Sequence, residues 1–194
     1  MLLLYAIVIG LVIGLLTGGR PSALAGQRIR WWPIALGGLF FQLVLFSPLV
    51  AGMIGDAGPL LYVGSTGLVL VALGANVRLA GFWVIGLGAV LNLTVVVANG
   101  GYMPAAPEAV AALTGVAALP TDAYSNSVIA SEHTSLALLG DIFFLPRPFP
   151  LANVFSIGDV LIGIGGTLFV ARTMHRPRPA PSPKQARGIA VAVC

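Results

Sequence analysis

Residues 1–17, MLLLYAIVIGLVIGLLT, carry no charged side chain. A helix that crosses a bilayer needs about 20 mostly apolar residues, so this stretch reads as one. Four more read the same way: about 33–53, opening at Pro33; about 59–77, opening at Pro59; about 81–99; and about 151–171, ending at Arg172. Proline suits a first helical turn, where its missing N–H has no partner to lose. Ala23-Leu24-Ala25 resembles a signal-peptide cleavage site. The residues before it lack the basic n-region of a signal peptide, so the first segment is read as a retained helix. The expected fold is all-α: a polytopic membrane helix bundle of about five transmembrane helices with an external capping loop.

Composition points the same way. Of 194 residues, 58% are hydrophobic and 8% charged, whereas a soluble domain carries roughly 25% charged residues. That balance argues against a water-soluble globule, and equally against disorder, which needs low hydrophobicity and high charge. With one cysteine, Cys194, the chain offers no internal disulfide and no cysteine-based metal cluster.

The charges give an orientation. Arg20, Arg28 and Arg30 follow the first segment, Arg78 separates the third and fourth, and Arg172, Arg176, Arg178, Lys184 and Arg187 follow the fifth. The positive-inside rule places these in the cytoplasm, which puts the N-terminus outside and the C-terminus inside and requires an odd number of crossings. The acids, not used to build this topology, agree with it. Asp56, Glu108, Asp122, Glu132 and Asp141 all fall in segments assigned to the outside, and Asp159 lies inside the fifth segment. Arg147 is the one base on the outer side. The net charge of +4 is thus topological and does not call for nucleic acid. The expected location is a bacterial cytoplasmic (inner) membrane.

Residues 1–172 form the expected membrane domain, with an external cap at 100–150, and 173–194 form a Pro/Arg-rich cytoplasmic tail. Alternating prolines hold such a tail extended; its bases either lie near anionic headgroups or dock a cytoplasmic partner. In the cap, 109–119 and 134–145 are apolar but too short to span, and are expected as short interfacial helices. Function is expected in the cap, because sites sit on irregular segments held by a rigid scaffold.

Gly10, Gly14 and Gly18 recur every fourth residue, and Gly163 lies in a second glycine-rich segment. Small residues at this spacing let helices approach closely, within the chain or toward a partner in the membrane. Intramembrane polar residues are few: Gln42, Asn76, Asn92, Asn99 and Asp159. An aspartate at mid-membrane costs about 2.5–3.5 kcal/mol on insertion scales and so normally faces protein or water. Asp159 reads either as an acid, proton carrier or cation ligand, or as a helix cap. Asp141 precedes it by 18 residues, and Pro146, Pro148 and Pro150 make the connection between them extended. The two carboxylates can therefore converge at the outer mouth, where close carboxylates share a proton and serve as acid and base. Asn99, His133, Arg147 and Ser156 are the polar residues expected to contact a substrate or ligand there. Arg147 has the alternative of a salt bridge anchoring the loop, and His133 that of a surface residue or a pH-sensitive or metal-binding group. Trp31, Trp32 and Trp83 are expected in the inner aromatic belt and Tyr102 in the outer one, or around a lipid or quinone.

The stretches NGGYMP (99–104), SEHTSLALLGD (131–141) and PFPLANVFSIGDVLIGIG (148–165) resemble a family of small bacterial multi-pass membrane proteins of unknown function. The resemblance implies a shared membrane fold and supplies no activity. A shorter stretch is similar to lipoprotein signal peptidase, a membrane aspartyl peptidase. Asp141 is followed by Phe155-Ser156-Ile157-Gly158-Asp159 and then by Ile162 and Gly165, which resembles that family's second aspartate motif. By this resemblance Asp141 and Asp159 would be a catalytic dyad. The sequence departs from the family at Ser156, where the family has asparagine, and nothing in 115–140 reproduces its G-N-x-x-D-R motif.

The leading functional expectation is a non-catalytic accessory, assembly or scaffold subunit of a membrane complex. The alternatives are an aspartyl hydrolase of membrane-anchored peptides or lipids using Asp141 and Asp159, and a small-solute or ion carrier with Asp159 as its proton or cation site. No cofactor and no metal are expected; membrane lipid and membrane protein partners are.

Overall fold

A computed structural model of the chain describes residues 2–117 and 125–177. Asp122, the end of the 109–119 segment and residues 178–194 of the tail, Cys194 included, lie outside the described residues. The chain is mostly helical. Its helices are α1 (Leu2–Leu16), the single turn α2 (Ser22–Ala25), α3 (Trp32–Leu45), α4 (Pro48–Ile54), α5 (Gly58–Gly74), α6 (Phe82–Ala98), α7 (Pro107–Thr114) and α8 (Ile157–Thr173). Four short strands occupy the cap: β1 (Met103–Ala105), β2 (Ser127–Ile129), β3 (Phe143–Leu145) and β4 (Asn153–Phe155).

These elements differ from five uniform crossings. Among the described residues, one helical run, Leu49–Gly74, is by length and composition long and apolar enough to cross a membrane; it has 26 residues and bends at Gly55, whose φ is 52°. Leu2–Leu16, Trp32–Leu45 and Phe82–Ala98 are apolar but shorter. The expected segment 33–53 is two helices. Pro48 lacks the N–H that would continue α3 and pushes Ser47 into extended backbone (ψ 144°), as the residue before a proline prefers. The segment 151–171 begins as strand, and helix starts only after Ser156. Residues 134–145 form no interfacial helix. They form a 3-10 turn at Ala137–Leu139 and then β3, because Phe143–Leu145 can pair antiparallel with Asn153–Phe155 across the prolines. The cap thus holds one of the two expected helices, α7, together with two small sheets.

The long helices pack as a row: α1 on α8, α8 on α6, α6 on α5, α5 on α3. Glycines set the spacing. A methyl group on Gly10 would meet Val170 Cβ at 2.8 Å and the Thr167 carbonyl at 2.9 Å, and one on Gly14 would collide with Met174. A methyl group on Gly163 would meet Leu2 and Ala6 only at ordinary contact distance, 3.6 and 3.8 Å. Gly18 takes no part in packing: it ends α1 with φ +84° and has open space around it. Gly88 and Gly158 let α6 and α8 approach until backbone meets backbone.

The helices join two chemically different ends. At one, Gly101 packs on Pro59, Asn99 bonds to Ser135, and the Tyr5 hydroxyl donates to the Pro150 carbonyl. At the other, Arg20 N–H donates to the Met174 carbonyl (2.8 Å), His175 meets the Thr17 carbonyl, and Asn76 binds the backbone of Arg30. Asp56, Glu108, Glu132, Asp141 and Asp159 belong to the first end, with Arg147 as its base; Arg20, Arg28, Arg30, Arg78, Arg172 and Arg176 belong to the second. The buried cluster Val95, Val96 and Met103, backed by Tyr62, Val63 and Leu139, ties the cap to the acidic end.

Candidate functional site

The site begins with the start of α8. Ser156 is fully buried and caps the helix. Its Oγ accepts from the Asp159 N–H (3.0 Å), and Asp159 Oδ2 accepts from the Ser156 N–H (3.1 Å). This reciprocal pair satisfies two backbone donors that a helix start otherwise leaves open. The Ser156 hydroxyl donates to Asn92 Oδ1 on α6 (2.8 Å), and Asn92 Nδ2 donates to Asp159 Oδ1 (3.1 Å). Both oxygens of Asp159 therefore accept hydrogen bonds, which fixes its carboxylate in one orientation. Gly158 permits this triangle, since a side chain there would occupy the place of Asn92.

Asp141 arrives from the cap. Its N–H donates to the Pro104 carbonyl (2.8 Å), and its own carbonyl accepts from the Ala106 N–H (3.0 Å). Its backbone is thereby stitched to the end of β1, and β1 is paired in parallel with β2. The residue is 8% exposed, and its carboxyl has no hydrogen-bond partner among the described residues. Burial pushes its pKa up to about 7, with the negative charge of Asp159 as a second, smaller cause. Isolation in low dielectric and a like charge both disfavour the ionised form.

Asp141 and Asp159 line one cavity of about 240 Å³ between the cap and α1, α5, α6 and α8. Tyr62, Asn92, Asn126 and Asn153 bring further polar groups to it, and Leu2, Leu151 and Phe155 give it apolar wall. Tyr62 Oη accepts from Asn126 Nδ2 (3.3 Å).

Of the expected ligand residues, the structure brings only Ser156 to the aspartates, as a cap. Asn99 staples the loop to α6: its Nδ2 donates to the Val95 and Ser135 carbonyls and its Oδ1 accepts from the Ser135 N–H. Arg147 pairs with neither aspartate; its Nε donates to the Leu113 carbonyl (2.8 Å) in the last turn of α7, where a helix end favours positive charge. His133 is exposed on the loop, away from the cavity lining. Sequence reasoning passes over Tyr62 and Asn126. A hydroxyl four residues into an apolar helix is a signal for Tyr62; Asn126 carries none.

A family model, the family of unknown function DUF5317, matches residues 27–171. The chain belongs to that family. The span shared with DUF5317 holds Tyr62, Asn92, Asn126, Asp141 and Asp159; Leu2 and Tyr5, which close the cavity from α1, precede it. No curated protein and no solved structure matches the chain.

Proposed function

We propose that this DUF5317 protein is an integral membrane protein of the bacterial cytoplasmic membrane. It crosses the bilayer five times with α1, α3, α5, α6 and α8 and holds its acidic cap outside. Two observations support this. The charges are parted to opposite ends of the helices, as the positive-inside rule requires, and large apolar side chains such as Phe40 (67% exposed), Leu43 (72%) and Leu60 (75%) face outward between those ends. Helices of 14–17 residues reach roughly 21–26 Å, and their flanking turns supply the rest of a core of about 30 Å.

The function that the geometry supports best is acid–base hydrolysis of a membrane-anchored peptide or lipid. The observation that carries it is that Asp141 and Asp159 line one cavity, Asp141 buried with its carboxyl unpartnered among the described residues and Asp159 held by the Ser156 N–H and Asn92 Nδ2. Asp159, held by two donors, acts as base: it takes a proton from water as the water oxygen bonds to the substrate carbonyl carbon. Asp141, protonated near neutrality, gives its proton to the departing nitrogen or oxygen as that bond breaks. Tyr62 O–H is placed to donate to the carbonyl oxygen as charge gathers there. The proton on Asp159 then returns to Asp141 through water. The test is incubation of the reconstituted protein with native membrane lipids and peptides in ¹⁸O-water. Asp141-dependent ¹⁸O in a product carboxyl is the expected result; products equally labelled with Asp141→Asn and Asp159→Asn would overturn the reading.

A second reading, an accessory subunit of a membrane complex, is favoured by a different observation. Gly37 on α3 and Gly64 and Gly67 on α5 have open space where a side chain would stand, room for a partner helix to approach either helix. A stoichiometric partner in native mass spectrometry of the protein from its own membrane, lost with Gly64→Leu, would select this reading.

A further inference from the structure

We propose that the basic end of the molecule binds the phosphate of an anionic phospholipid headgroup in a cavity between Arg28, Arg30 and Arg78. The cavity, about 500 Å³, is open to the outside and is otherwise lined by residues 74–79, the last residue of α5 and the turn that follows it. The three arginines come from two segments far apart in sequence, and a buried side chain holds them together. Asn76, 4% exposed, accepts from the Arg30 N–H (2.8 Å) and donates to the Arg30 carbonyl (2.7 Å) and to the Ala72 carbonyl (2.8 Å). Both backbone groups of Arg30 are thus fixed to the turn that carries Arg78. The next residue, Trp31, sits in the left-handed region with φ 57°, a conformation that a bulky side chain strains to adopt. The fold keeps that strain and with it the direction in which the chain leaves Arg30.

None of the three guanidinium groups has a hydrogen-bond or ion-pair partner among the described residues, and no described carboxylate lies at this end. Planar five-donor groups without acceptors suit phosphate oxygens. Phosphate could come free from solution or on a lipid, and the surroundings favour the lipid. Trp31, Trp32 and Trp83, which are 49, 56 and 61% exposed, follow Arg30 and Arg78 closely in sequence, and indoles of this kind seat at headgroup level. Beyond them run the outward apolar faces of α3 and α6, along which acyl chains would lie. The inference rests on the membrane reading above.

The full chain is reconstituted in nanodiscs of equal dioleoylphosphatidylglycerol and dioleoylphosphatidylcholine, released, and its retained lipids are counted by native mass spectrometry. Wild type is expected to retain the phosphatidylglycerol preferentially. Each of Arg28→Gln, Arg30→Gln and Arg78→Gln should lower the ratio about fivefold, from roughly 1 kcal/mol per base near an anionic surface, while Glu132→Gln, exposed at the acidic end, leaves it unchanged. A ratio of one for wild type, or a preference kept by the triple variant, overturns the inference. Should the triple variant fail to insert, rising salt on wild type decides: selective loss of phosphatidylglycerol supports the site, and equal loss of both lipids overturns it. Inorganic phosphate that displaces the lipid completely, where chloride of equal ionic strength does not, makes the occupant a free anion and overturns the lipid assignment. Failure of wild type to enter nanodiscs strikes the membrane reading itself, whereas entry without preference strikes this site alone.

Discussion

Asp141 and Asp159 reach one cavity from two independently braced backbones, the first bridged to the end of β1 and the second locked into the cap of α8. Neither depends on the other for its position, yet the charge of Asp159 adds to the burial that keeps Asp141 protonated.

The protonation of Asp141 makes stability depend on pH. Its pKa rises from 3.8 in the unfolded chain to about 7 in the fold, so the folded state binds the extra proton between those values. Stability is then highest below about pH 4, falls as pH rises toward 7, and levels off above it. The full loss is about 4 kcal/mol by linkage. Asp141→Asn should flatten this slope and melt later than wild type above pH 7. Thermal unfolding in mild detergent from pH 4 to 8 measures it; parallel curves for the two proteins would refute the buried, unpartnered acid.

Gly158 should tolerate no side chain. A methyl group there overlaps Asn92 and presses on the Gly88 carbonyl, and such overpacking costs about 1–3 kcal/mol. Gly158→Ala should lower the melting temperature and disrupt the Asn92–Ser156–Asp159 triangle, shifting the pH profile of any activity. Gly86→Ala, with open space around it, should be neutral or stabilise by up to about 1 kcal/mol by helix propensity. Equal effects at the two positions would contradict the close approach of α6 and α8.

Much of this arrangement is legible in the order of residues. The five apolar segments locate the long helices, and the alternation of basic and acidic connections anticipates the two ends. The 18-residue spacing from Asp141 to Asp159 is compatible with both lining one cavity. Element boundaries are less legible, because Pro48 and Ser156 act on backbone donors rather than on hydropathy. The pairing of Phe143–Leu145 with Asn153–Phe155 is hidden because their apolar run suits a helix equally well. Tyr62 and Asn126 are 64 residues apart, and only the parallel pairing of β1 with β2 carries Asn126 to the tyrosine. The dual nature of Asp159, both cap and cavity wall, is visible in the Ser156-x-x-Asp159 pattern, but the pattern cannot say which surface the carboxylate faces.

Asn99 should govern the order of the loop that contains His133. Its side chain makes three hydrogen bonds, two of them to Ser135, each worth about 1 kcal/mol net. Asn99→Ala should raise amide exchange at Ser135 and expose 131–136 to proteolysis while leaving the melting of the helices nearly unchanged. Unaltered exchange at Ser135 would show that the loop is held by something other than this staple.

His175 should act as a latch at the basic end. Its Nδ1 lies 2.9 Å from the Ala171 carbonyl and its Nε2 3.1 Å from the Thr17 carbonyl. Two acceptors can both be satisfied only when both ring nitrogens carry hydrogen, so the imidazolium is favoured. The Ala171 carbonyl, and then that of Thr17, raise its pKa above the ordinary 6.5. The stabilisation is therefore fully present below pH 6.5 and disappears as pH climbs through the raised value. The link joins the end of α1 to the end of α8, so its loss should loosen that contact first. His175→Gln, whose two N–H donors sit on one nitrogen instead of the two that face the Ala171 and Thr17 carbonyls, should melt earlier than wild type at pH 5.5 and together with it at pH 9. A gap that widens with pH would reverse the sign and exclude the latch.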